Sequence, residues 1–270
     1  MSLYCYRYDG TFGGFLTCIF ESYVNKELPT SFAILSDGPT LLEEREVTTH
    51  DAHAGRVYTA LAKKVSPEFQ KLIERAFLTC LSEKELALYT LIRRGLIEGD
   101  RVRRDLTDPT MARVNLALAK MWTEWDHLKG FVRFSELDGA LVGEIEPKNR
   151  VLPLLAPHFA ARFSGETMIL YDRTHKEAFF HQNHRWTILP VEEFSLGPGT
   201  AEERGWRELW RRYFKTLTIE ERYNPKCQST HLPKRYRHVM TEFMTEPAPA
   251  VPSPAIAENL SEPLDKIRIF

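Results

Sequence analysis

Between Arg204 and Met240 the chain carries ten Lys or Arg residues against three Asp or Glu. The whole sequence has a formal net charge of -1, so this local excess is balanced elsewhere. Arg outnumbers Lys in the segment, and a guanidinium forks onto phosphate oxygens through two parallel N–H donors. Arg207, Arg211, Lys215, Arg222, Lys234, Arg235 and Arg237 are therefore candidate phosphate contacts. Tyr223 and Tyr236 are candidate rings for stacking on bases. A surface built only for solubility mixes both signs of charge. The competing reading is that these cations pair with acids of the same chain, Glu144 and Glu146 among them.

Acid–base chemistry has fewer candidates. Asp172 closes an apolar strand, a common place for a functional side chain, and His158 sits in "LPLLAPHFAARF". Arg162 lies one helical turn beyond His158, so the two can hold an anion together. A lone histidine is more often structural than catalytic. "HQNH" (His181, His184) reads as a pair of surface turn histidines. "HDAH" (His50, His53) places two imidazoles on one helix face, but further ligands are missing, so no metal is expected. Asp9-Gly10 with Gly13-Gly14 opens a helix without forming a Walker loop or a dinucleotide fingerprint. Close packing is the favoured role of those glycines. No cofactor motif is present.

The elements that must position these residues follow from periodicity. "SLYCYRYD" alternates as a strand, and Phe12 to Val24 shows one apolar helix face. "TSFAIL" and "REVTT" read as further strands. A helical insert occupies about residues 51–129, with Ser66-Pro67 as one start and Ser82/Glu85 as a capping box for another. Five short strands then form a mostly antiparallel sheet, interrupted by a helix near Val151 to Phe163. A closing helix from about Thr200 to Leu217 sorts its faces: Trp206, Leu209, Trp210, Tyr213, Phe214 and Leu217 on one side, Arg204, Arg207, Arg211 and Lys215 on the other. Residues 245–270 are rich in Pro and Ala and read as a flexible tail, although its "KIRIF" end is apolar enough to dock on this protein or another. The fold class expected is α+β, with one domain over residues 1–244. Four scattered cysteines and a polar N-terminus point to reduced thiols in the cytoplasm, and no membrane span is expected.

The blocks "YRYDGTFGGFLTCIFESY", "GFVRFSELDGALVGEIEPKNRVLPLLAPHFAARFSGETMILYDRTHKEAFFH" and "LWRRYFKTLTIEERYNPKCQSTHLPKRYRHVMTEF" together resemble the DUF4130 proteins, described as probable DNA metabolism proteins. The resemblance runs from about Leu3 to Phe243. It implies a DNA-directed accessory role beside a radical S-adenosylmethionine (SAM) repair or modification protein. The chain lacks the three close cysteines of a radical SAM cluster, so it would be the partner. The resemblance carries no catalytic residues with it. Two alternatives stand beside it: a base-processing hydrolase or glycosylase-like enzyme using Asp172 or His158, and a pure protein adaptor.

Overall fold

A computed structural model describes residues 4–195 and 200–244. The 245–270 segment, with its KIRIF end, lies outside the described residues. The fold is α+β, and the chain separates into two compact units, Met1–Trp122 and Thr123–Phe270.

In the first unit β1 (Tyr4–Tyr8) is the central strand of a three-stranded parallel sheet, flanked by β2 (Pro29–Ile34) and β3 (Glu43–Glu46). A central parallel strand is covered on both faces, which is why Cys5, Tyr6 and Tyr8 are all buried. α1 (Phe12–Val24) crosses between β1 and β2, with the Thr11 hydroxyl accepting from the Gly14 amide as its cap. Helices α2 (Asp51–Ala60, extended by one π turn over Leu61–Val65), α3 (Pro67–Phe77), α4 (Lys84–Glu98), α5 (Arg101–Arg104) and the start of α6 (Pro109–Phe131) complete the unit. Phe15, Phe69, Phe77, Leu88 and Leu91 are among its core.

Ser66 caps α3 as its sequence predicts, accepting from the Phe69 amide at 3.0 Å. The Ser82/Glu85 capping box does not form. Glu83, in the left-handed conformation, precedes α4, and the Glu85 carboxylate is taken instead by the Tyr8 hydroxyl at 3.0 Å. A buried phenol needs an acceptor more than an exposed amide does, so the long-range bond wins.

The second unit is built on a five-stranded sheet in sequential order: β4 (Phe134–Leu137), β5 (Ala140–Ile145), β6 (Thr167–Asp172), β7 (Glu177–Gln182) and β8 (Arg185–Pro190). Three of the four pairings are antiparallel; β5 and β6 are parallel because α7 (Leu152–Arg162) crosses over between them. Asp138-Gly139 and Asn183-His184, all at positive φ, make the two tight hairpins. Val142, Ile169, Tyr171 and Ala178 form a small core on the sheet, joined by Phe194 stacked on Tyr171. α8 (Ala201–Thr216), α9 (Pro225–His231) and 3₁₀ turns at Lys234–Val239 and Thr241–Phe243 follow. No described helix is long and apolar enough to cross a membrane.

Candidate functional site

The basic segment begins on α8. Thr200 caps the helix, accepting from the Glu203 amide at 3.1 Å. Glu203 is 7% exposed and accepts from the Glu136 amide on β4 and from Arg207 Nε at 2.8 Å. Arg207 also donates to Ser135 Oγ at 2.6 Å. The edge of the helix that packs inward is therefore polar. Arg211 is half-buried, its guanidinium reaching the Met244 carbonyl at 3.5 Å. The apolar side of the same helix stands in solvent: Trp206 is 57% exposed, Leu209 55%, Tyr213 55% and Leu217 61%.

The chain returns to α8 at its far end. Glu242 accepts from Arg133 Nη2 at 2.7 Å, from Arg133 Nε at 3.2 Å and from Trp210 Nε1 at 3.0 Å. The Arg133 guanidinium lies over the Trp210 ring, and Phe243 meets Phe214 edge-on at 5.7 Å.

A second anchor sits in the C-terminal half of α6. The Glu124 side chain is 1% exposed. Its carboxylate accepts from the Lys148 and Asn149 amides and from Asn149 Nδ2 at 2.6 Å. Arg235 completes the set at 2.8 Å and donates to the Tyr236 hydroxyl. Tyr236 is 2% exposed, its ring against His127 and Phe131. Arg237 lies over Phe243, with its Nε buried and without a hydrogen-bond partner. Arg207, Arg235 and Tyr236 are thus tied to the protein itself.

Arg211 and Arg237 are also held by the protein, Arg237 donating to Gln228 Oε1 and the Leu232 carbonyl; three nominated cations differ. Lys215, Arg222 and Lys234 are exposed and have no ion-pair partner among the described residues; the same holds for Lys226. Tyr223, beside Arg222, is 64% exposed. These residues come from the end of α8, the 3₁₀ turn Glu220–Arg222, α9 and the start of the next 3₁₀ turn. Asn224 caps α9 through the Cys227 amide.

Asp172 is fully buried at the end of β6. It accepts from the Thr174 and His175 amides and from His175 Nδ1 at 2.7 Å, closing the β6–β7 turn. Burial pushes its carboxyl above the usual range, with the His175 contacts pulling the other way. His158 is half-buried on α7; burial, and then the nearby Lys129 and Arg162 cations, disfavour its imidazolium. Arg162 is exposed, over the Phe163 ring. Glu146 pairs with His238 at 2.7 Å, and Glu144 lies 3.9 Å from Arg173, so these acids do not cover the nominated cations. His181 is buried rather than on a surface turn, donating to the Glu166 carbonyl at 2.8 Å. His53 pairs with Glu21 and stacks between Phe20 and His50. No cluster able to hold a metal ion is found among the described residues.

Sequence reasoning missed Glu124, Glu203, Glu242 and His175. Glu124 carried a signal: it falls within the apolar stripe Met121, Trp125, Leu128 at helical spacing, where a lone acid must be partnered.

A family model described as a domain of unknown function, DUF4130, matches residues 82–242. The chain belongs to the DUF4130 family. The matched residues contain both anchors, Glu124–Arg235 and Arg133–Glu242, and the exposed cations Lys215, Arg222, Lys226 and Lys234. The sheet of the first unit lies before the match. No curated protein matches the chain.

Proposed function

We propose that this DUF4130 protein is a DNA-binding accessory protein in repair or modification, acting with a radical SAM partner. The observation that carries the reading is the set Lys215, Arg222, Lys226 and Lys234, exposed and unpaired among the described residues, with Tyr223 exposed beside them. Unpaired surface cations release counterions when they meet phosphates, and an exposed ring adds sequence-tolerant stacking. The partner and the repair role rest on the resemblance set out above. Anisotropy of labelled single- and double-stranded DNA across a salt series tests the reading. Binding should weaken with a log–log slope of about -0.7 to -0.9 per phosphate contact. Salt-independent binding would count against it.

The exposed apolar side of α8 favours a second reading, a protein adaptor, because such a stripe suits another polypeptide rather than a phosphate backbone. Binding to the radical SAM partner without any affinity for DNA would select the adaptor. Turnover of a damaged oligonucleotide by the chain alone would select the enzyme reading with Asp172 or His158.

A further inference from the structure

In the first unit, α2 and its π turn form an open groove of about 560 Å³. Its floor is small: Ala52, Gly55 and Thr59, all exposed on one helix face. A Cβ at Gly55 would meet nothing within 4 Å. Glycine inside a helix costs about 1 kcal/mol against alanine, and no described neighbour requires it here. A ligand chain lying against the helix would.

The groove is also basic. Arg56, Lys63 and Lys64 line it, and Asp51, in the first turn of α2, is the one acid between residues 50 and 65. Lys63 and Lys64 are exposed and have no ion-pair partner among the described residues. Asp100, held at the end of the π turn by the Ser66 hydroxyl at 2.6 Å, is already shared by Arg103 at 2.9 Å and Arg104 at 3.3 Å. Beside the cations runs a column of flat groups. The Arg56 guanidinium lies 5.1 Å over the Phe20 ring, Phe20 stacks on His53 at 4.0 Å, and His53 stacks on His50 at 4.1 Å. His50 is exposed and is the last ring of the column among the described residues.

We propose that this groove is a track for single-stranded nucleic acid: Arg56, Lys63 and Lys64 take phosphates, the sugar–phosphate chain lies against Gly55, and a base stacks on His50. Arg56 and Lys63 are two helical turns apart, about 10 Å along the axis, which matches about three phosphates of a stacked strand at about 3.4 Å each. Every base has a π-face for an exposed ring. An acidic peptide would satisfy the cations but leave that ring unused, and a duplex keeps its bases inside the stack. The inference rests on the nucleic-acid reading above for the class of ligand, but places it on residues that precede the family match.

The test measures anisotropy of a labelled oligo-dT strand with the full chain. Lys63→Ala with Lys64→Ala should keep the parent's unfolding midpoint and make the log–log salt slope shallower by about 1.4, at about 0.7 per contact on a single strand. His50→Ala should weaken binding about fivefold at unchanged slope. Gly55→Met should raise the unfolding midpoint, because methionine is the better helix former, and yet weaken binding; a purely structural role would not split the two signs. The parent's slope in the lysine pair variant, or parent affinity in Gly55→Met, would overturn the proposal. Tighter binding of poly-glutamate than of dT at equal charge, lost in the lysine pair variant, would mark a groove for acidic peptides and overturn it as well. A shallower slope in the lysine pair variant, with parent binding when Lys215, Arg222, Lys226 and Lys234 are all replaced by alanine, would support the track and overturn the surface proposed in the second unit. No binding by the parent at low salt would overturn both.

Discussion

Arg235 reaches the Glu124 carboxylate at 2.8 Å, joining the basic segment after α9 to a side chain that is almost wholly enclosed in the C-terminal half of α6. A buried acid that loses its cation keeps its desolvation cost. Three other donors to Glu124 soften that loss. Arg235→Ala should therefore lower stability by about 1–3 kcal/mol. Lys234→Ala, one residue away and exposed, should change it by less than about 0.5 kcal/mol. Urea unfolding of the two variants checks the contrast.

Gly14 is required by what faces it. A Cβ there would lie 2.2 Å from Asp9 Oδ1 and 2.8 Å from Thr49 Oγ1. Alanine gains about 1 kcal/mol in helix propensity, but displacing a carboxylate held by Thr11 and Thr49 outweighs it. Gly14→Ala should destabilise by about 1–2 kcal/mol net. Asp9→Ala in the same chain should recover part of the loss, which thermal melts of the single and double variants will show. The loop at the start of α1 thus holds its own carboxylate where an anion would bind.

Two acids of the second unit should respond to pH with opposite signs. Burial pushes Glu242 up, but the bonds from Arg133, its own backbone and Trp210 overcome this and hold it below its ordinary 4.5. Its contribution is then full above 4.5 and lost as pH falls through the depressed folded value. Asp172 is raised above its ordinary 3.8, so it binds its proton more tightly when folded and costs stability as pH rises through the window above 3.8. Unfolding midpoints between about pH 3 and 6 should fall less steeply on acidification in Glu242→Gln than in the parent. Asp172→Asn should remove the opposing slope.

The four thiols divide evenly. Cys80 and Cys227 are exposed, while Cys5 and Cys18 are buried. Burial, and then the Asp9 charge, push the Cys18 thiol up. A chromogenic disulfide reagent should titrate two thiols at once in native protein and the other two only on unfolding. Four fast thiols would contradict the packing of β1 against α1.

Local pattern made much of the fold legible. The short apolar runs of β6 and β7, the Asp138-Gly139 turn and the Ser66-Pro67 start all form where their residue types place them. α8 shows where such reading stops. Its two faces are sorted as periodicity predicts, but the face turned inward is chosen by Glu203, which takes the Glu136 amide 67 residues away, and by Arg207, which reaches Ser135 72 residues away.

 Both separations are far beyond any local window. The same holds for the nominated site. Charge counting finds the basic segment, but only the fold distinguishes Arg235, held by Glu124, from Lys234 beside it, which faces solvent. Glu242 and Tyr236 look like surface residues in a charged stretch, and each becomes enclosed through partners more than 100 residues earlier in the chain, Arg133 and His127.

The measurement that bears most directly on the central claim compares two charge-removal variants in DNA anisotropy across a salt series. One removes the outward cations, Lys215→Ala, Arg222→Ala, Lys226→Ala and Lys234→Ala together. The other removes an inward one, Arg207→Ala. The account predicts that the first keeps the parent's unfolding midpoint but loses most of its affinity, with the log–log salt slope shallower by about 3. The second should lose stability and keep the parent's slope. Equal affinity and slope in the parent and the outward variant, or no binding by the parent at low salt, would contradict it.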